Sequence, residues 1–260
     1  NFNMSISEFK IIFYWEYAHR LIARLIGLFA ILPLIYIYFK HKKYLIRDSK
    51  YLLIFILICF QGLIGWFMVK SGLVNNTDVS HYRLALHLSI ALIILSVIFW
   101  FILENFNVDK FIQKLNKKFL LIFFVFILLQ IIFGAFLAGL NGGLLYNSWP
   151  DMNGNVFPDD IDKNDLYNSQ ILSNPSVIQF YHRLTAYVLL VLLLILNIIF
   201  YKRQIELRSI MILNIAILFQ IVLGIITLVT GVKIFYASLH QLGSVIVLIS
   251  FLNIYYKNTN

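Results

Sequence analysis

The chain has 260 residues, of which 61% are hydrophobic and only 13% charged, with 21 Lys and Arg against 12 Asp and Glu for a net charge of +9. So apolar a composition excludes an ordinary soluble domain, and the positive excess is not a nucleic-acid signature because it sits in alternate connections between long apolar runs. What remains is an all-α polytopic membrane protein, helical because the runs are continuously apolar and do not alternate.

Residues 5–15 are too short to span and are expected to lie along the outer interface, with Tyr14, Trp15 and Tyr17 in the aromatic belt. Seven spans are expected at 17–39, 51–69, 84–103, 119–140, 180–201, 209–231 and 237–256. The first has Glu16 and His19-Arg20 at its mouth, Arg24 deeper and Pro33 placed to kink it. The second carries Gln61, Gly65 and the single Cys59, which can form no internal disulfide and reads as a small core residue. Arg83 and His87 open the third, and Gln130, Gly134 and Gly139 lie in the fourth. Gln179, His182 and Arg183 open the fifth, Gln220 and Gly224 lie in the sixth, and His240 opens the seventh. Glycines 62, 65, 134, 139 and 143 read as points of close helix packing.

Connection 40–50 carries Lys40, Lys42, Lys43, Arg47 and Lys50 against Asp48, and 104–118 carries four lysines against Glu104 and Asp109. Connection 202–208 carries Lys202, Arg203 and Arg208 against Glu206. By the positive-inside rule these face the cytoplasm or the matrix, so the first span enters from outside. His19, His87, His182 and His240 then all fall at the outer ends of their helices. A bacterial inner membrane or the mitochondrial inner membrane is the expected location, with those ends on the periplasmic or intermembrane side.

The two halves repeat. His19-Arg20-Leu21-Ile22-Ala23 echoes His182-Arg183-Leu184-Thr185-Ala186, and Ala85-Leu86-His87 echoes Ser238-Leu239-His240. Phe60-Gln61 with Gly65 echoes Phe219-Gln220 with Gly224, and Ser71-Gly72-Leu73-Val74 echoes Thr230-Gly231-Val232-Lys233. Both copies enter from the same side, so the repeat is parallel. Residues 1–118 and 119–260 are therefore expected to be two pseudo-symmetric four-helix bundles, seven helices here and an eighth inferred by symmetry ahead of Asn1.

Imidazoles at one depth in a membrane bundle can ligate haem iron from opposite faces, and two matched pairs suggest two haem sites. Structural zinc wants a compact four-ligand cluster, and no Cys, Asp or Glu lies at matching depth in the second half. Arg20, Arg83 and Arg183 suit haem propionates or lipid headgroups alike, whereas Arg24, deepest in its span, reads as the partner of a ligand or carboxylate. His41 and His81 lie in connections and read as solvated. Glu16 precedes His19 by three residues, while Gln179 holds the corresponding place before His182. A carboxylate there can transfer protons, position water or stabilise developing positive charge; it can equally pair with Arg20 at i+4.

Longer strings carry a family likeness: Glu8-Phe9-Lys10 leading to Glu16-Tyr17-Ala18-His19-Arg20, Gly65-Trp66-Phe67-Met68-Val69-Lys70-Ser71-Gly72-Leu73, and Tyr82-Arg83-Leu84-Ala85-Leu86-His87-Leu88. Gly134-Ala135-Phe136-Leu137-Ala138-Gly139-Leu140, Tyr146-Asn147-Ser148-Trp149-Pro150-Asp151-Met152 and the two C-terminal histidine motifs extend it over the whole chain. With these the sequence resembles the haem A synthases, which convert haem O to haem A for cytochrome oxidase. The resemblance implies substrate haem O between His19 and His87 with Glu16 catalytic, and a haem b cofactor on His182 and His240. It implies oxidation of a porphyrin methyl group to a formyl group through successive hydroxylations and loss of water. It also implies haem O delivered by a haem O synthase, an electron donor such as a ferredoxin or quinol, a lipid bilayer, room for a homo-oligomer, and no nucleic acid. Having no cysteine pair in an outer loop, the chain resembles the mitochondrial and alpha-proteobacterial type, without that family's first helix.

Two rivals stay open on the residues alone: a di-haem b cytochrome that relays electrons, and a haem transporter or chaperone. The acidic loop 141–178, with Trp149-Pro150, suits a cover over a haem edge, a partner contact or a plain solvated connector.

Overall fold

The computed structural model describes residues 5–40, 49–72, 79–161 and 171–259. His41, Lys42, Lys43, Arg47 and Asp48 of the first basic connection, Leu73, Val74 and Asp78, and Asp162, Lys163 and Asp165 lie outside the described residues. Seven helices follow in order: α1 (Ile6–Lys40), α2 (Ser49–Gly72), α3 (His81–Asn105), α4 (Lys117–Gly139), α5 (Pro175–Lys202), α6 (Leu207–Val229) and α7 (Ile234–Lys257). All seven are long and apolar enough to cross a membrane, so the chain is an integral membrane protein.

The first helix differs from expectation. Residues 6–15 do not form a separate interfacial segment but are continuous with the span, giving a helix of 35 residues, about 52 Å at 1.5 Å per residue. The cause is a capping box: Ser5 Oγ accepts from the Glu8 N–H at 3.3 Å and Glu8 Oε2 accepts from the Ser5 N–H at 2.8 Å. No breaker follows until Pro33, and the helix runs through it to Lys40.

The chain divides into two compact units between Ile98 and Phe99. In the first, α1 packs along α2, and His87 of α3 reaches α2 at Gly65. Few of its side chains are buried among the described residues; Ile37, Ala85, Ile90 and Leu92 are. Cys59 is exposed on α2, which corrects its reading as a core residue. An exposed apolar face is the ordinary state of a helix that meets lipid.

In the second unit each helix from α4 to α7 packs on the next, and α4 closes onto α7. Leu120, Phe123, Leu196, Phe200, Leu213, Leu248 and Phe251 are fully buried, with Phe123 stacked on Phe251 at 5.1 Å. Asn116 and Asn174 cap α4 and α5 by accepting backbone N–H bonds, and Pro175 sits where α5 needs no donor. Asn197 and Asn214 exchange amide hydrogen bonds between α5 and α6 at 2.8 and 2.7 Å, a polar link suited to an apolar medium. The connection before α4 is tied to the end of α7: Leu115 N–H donates to Asn258 Oδ1 at 2.6 Å and Lys110 Nζ donates to the Tyr256 carbonyl at 3.0 Å.

Candidate functional site

The helices bring the four histidines together in the two expected pairs. His19 on α1 and His87 on α3 have ring centroids 6.5 Å apart and planes at 67°. His182 on α5 and His240 on α7 have centroids 6.4 Å apart and planes at 77°. A metal–imidazole bond of about 2 Å, with the ring centre about 1.1 Å behind the nitrogen, separates two ligands across one metal by about 6.2 Å. Both pairs have that spacing.

Three of the rings are cradled alike by the preceding helix. Gln61 Nε2 of α2 lies 3.3 Å from His87 Nε2 and donates to the His87 carbonyl at 3.0 Å. Gln130 Nε2 of α4 lies 3.3 Å from His182 Nε2, and Gln130 Oε1 accepts from the Thr185 hydroxyl. Gln220 Nε2 of α6 donates to the His240 carbonyl at 2.7 Å. One turn beyond each glutamine stands a glycine: a Cβ at Gly65, Gly134 or Gly224 would lie 3.1, 3.2 or 2.9 Å from Cε1 of its histidine. These glycines make room for imidazole; Gly62, grouped with them by sequence, has nothing within 4 Å.

Nδ1 of His87, His182 and His240 is buried with no hydrogen-bond partner. A buried orphan nitrogen calls for an explanation, and a metal on one ring nitrogen with a polar neighbour at the other is a common one. Among the described residues no group of three or more His, Cys, Asp or Glu could hold a metal ion. Two facing imidazoles with no third protein ligand suit the axial positions of a haem, whose macrocycle fills the rest.

The flanking residues divide sharply. Glu16 pairs with Arg20, both about half exposed. Its counterpart Gln179 is 1% exposed and donates from Nε2 to the Tyr146 carbonyl at 2.8 Å. Arg183 donates to the Asp151 and Tyr146 carbonyls at 2.7 and 2.9 Å. Arg83 stacks over Phe67 at 5.2 Å, and Arg24 is exposed with no salt bridge among the described residues. His81 lies beside Tyr82 rather than in either pair.

The acidic loop is held down. Tyr146 is buried, its hydroxyl 2.7 Å from both Asp159 and Asp160, and Asp160 accepts from the Ser176 hydroxyl at 2.6 Å. Asn147 Nδ2 donates to the Leu228 carbonyl at the end of α6 at 3.0 Å, and Phe157 meets Phe180 edge-on. Burial, reinforced by the two carboxylates, pushes the Tyr146 hydroxyl pKa well up. Hydrogen bonds from Ser148 and then from the Gly154 N–H hold the Asp151 carboxyl below its usual range. Composition alone showed none of these anchors; the repeat of Gln and Gly four apart was the available signal for the cradles.

Residues 1–252 match the family described as cytochrome oxidase assembly protein. A haem A synthase of Pelagibacter ubique (strain HTCC1062) is 56% identical over 260 residues, covering 100% of this chain and 77% of that protein. Haem A synthases of Rickettsia bellii (strain OSU 85-389) and of Wolbachia pipientis subsp. Culex pipiens (strain wPip) are 42% and 41% identical, each over 95% of this chain and covering 76% and 74% of theirs. On this agreement along its whole length, the chain belongs to the haem A synthase family of cytochrome oxidase assembly proteins.

Proposed function

We propose that the protein oxidises the ring methyl group of haem O to a formyl group, making haem A for cytochrome oxidase. The observation that carries this reading is the pair of repeat-related histidine couples at 6.5 and 6.4 Å, with a carboxylate three residues before the first histidine of only one of them. Residues 1–118 form the substrate half, with His19 and His87 holding the substrate iron. Residues 119–260 form the cofactor half, with His182 and His240 holding haem b. A haem held there supplies one-electron transfer.

The chain's own residues do the rest. Glu16, on the face of α1 that carries His19, holds a proton-accepting carboxylate beside the substrate, and Arg20 pairs with it and directs it. Gln179 in the same position offers a neutral amide that donates to the Tyr146 carbonyl, so this place in the cofactor half carries no carboxylate. Arg83, one turn before His87, and Arg24 suit substrate propionates. The histidine ends face the periplasm or intermembrane space, and electrons come from an external donor such as a ferredoxin or quinol.

The test is haem extraction and chromatography from cells that make haem O and express the protein. A haem A peak, lowered at least about 100-fold by Glu16→Gln, is expected. Haem O and haem b alone, with a normal bis-imidazole spectrum, favour the electron-relay or carrier reading.

A further inference from the structure

A glycine inside a helix is destabilising relative to alanine, and close packing of two backbones is the usual return. At three positions here the atoms nearest an added Cβ are instead those of an imidazole: His87 at Gly65, His182 at Gly134 and His240 at Gly224. Each glycine stands four residues after a glutamine whose amide touches the same histidine, at its ring or its main-chain carbonyl. The glutamine sets the rotation of the histidine-bearing helix and the glycine sets how far the ring can lean. Gly62, on the same helix as Gly65 and facing nothing within 4 Å, lacks this relation.

We propose that Gln61 with Gly65, Gln130 with Gly134 and Gln220 with Gly224 are positioning residues that hold the imidazole planes of each pair nearly perpendicular, and so set the electronic state of the iron between them. The inference rests on the haem-ligand reading above. Imidazole donates π density into the iron d orbital perpendicular to its ring plane. Two crossed rings load both available orbitals equally and leave them nearly degenerate, whereas parallel rings split them. The planes cross at 67° and 77°, close to the degenerate limit, which gives a strongly anisotropic low-spin EPR signal.

The experiment uses the full chain carrying His87→Ala, so that the His182–His240 pair alone binds haem from both sides. The parent should show the strongly anisotropic low-spin signal. Gln220→Leu and Gly224→Ala should move it toward a rhombic signal and shift the midpoint potential, while Gly62→Ala leaves both unchanged. Gln220→Leu decides the case if Gly224→Ala does not accumulate. Haem-loaded Gln220→Leu with an unaltered signal and potential overturns the cradle while leaving the haem reading intact. A parent that binds no haem overturns the functional reading and the cradle together.

Discussion

The stretches of α1 and α5 around His19 and His182 start from nearly the same words, Glu16-Tyr17-Ala18-His19-Arg20 and Gln179-Phe180-Tyr181-His182-Arg183, and end in different physical states. On α5 the amide of Gln179 and the guanidinium of Arg183 are consumed by loop carbonyls, and Gln179 is 1% exposed. On α1 the carboxylate and guanidinium take each other and stay about half exposed. One atom type, amide nitrogen or carboxylate oxygen, separates them: an amide N–H can donate to a backbone carbonyl and an ionised carboxylate cannot. A site locked by its loop suits a resident cofactor, and a site whose half-exposed carboxylate pairs only with its neighbour on the same helix suits a substrate that enters, reacts and leaves.

The largest effect that sharpens this contrast is loss of a ligand. His182→Ala or His240→Ala should remove the retained haem from purified protein, read as loss of one bis-imidazole absorbance component per chain. Next comes an exchange of the distinguishing residues. Gln179→Glu deletes one of the two donors to the Tyr146 carbonyl, the other being Arg183, and sets a carboxylate in a buried place against that carbonyl, at a cost of about 1–3 kcal/mol. Faster proteolysis of the loop around Trp149 should report it; unchanged proteolysis would mean that Gln179 is not what fastens the loop.

Within the second unit, Asn197→Leu breaks the amide exchange with Asn214. It should lower stability by about 1 kcal/mol, measurable as a lower Tm, with Asn214→Leu adding little once the pair is broken. The smallest effect is one of pH. Tyr146 has a raised pKa in the fold, so its neutral form contributes stability that is fully present below its ordinary pKa of 10.0 and is lost as pH rises through the folded value. Loop protection should therefore weaken only under strongly alkaline conditions, and Tyr146→Phe should remove that dependence.

Much of the fold was legible because lipid demands long uninterrupted apolar runs, and seven such runs became seven helices. The start of α1 was not, since Glu8, Lys10 and the aromatic residues around them lower its apolar character, while the signal that governs it is the local Ser5–Glu8 cap. The histidine pairing was legible through the repeat. The partners of Arg183 and Gln179 were not, because they are backbone carbonyls of a loop, and carbonyl positions depend on tertiary folding rather than residue type. Gly65 and Gly134 carry the sequence signal of helix packing, whereas the fold sets a histidine ring against each, a contact between residues far apart in sequence.

The most direct measurement is a paired one on the two halves: haem A formed, and haem retained, by His87→Ala and by His240→Ala expressed in cells that make haem O. Division of labour requires His87→Ala to make no haem A yet keep its tightly bound haem b, and His240→Ala to lose that haem b. Haem A produced normally by His87→Ala, or haem b lost equally from both variants, would contradict it.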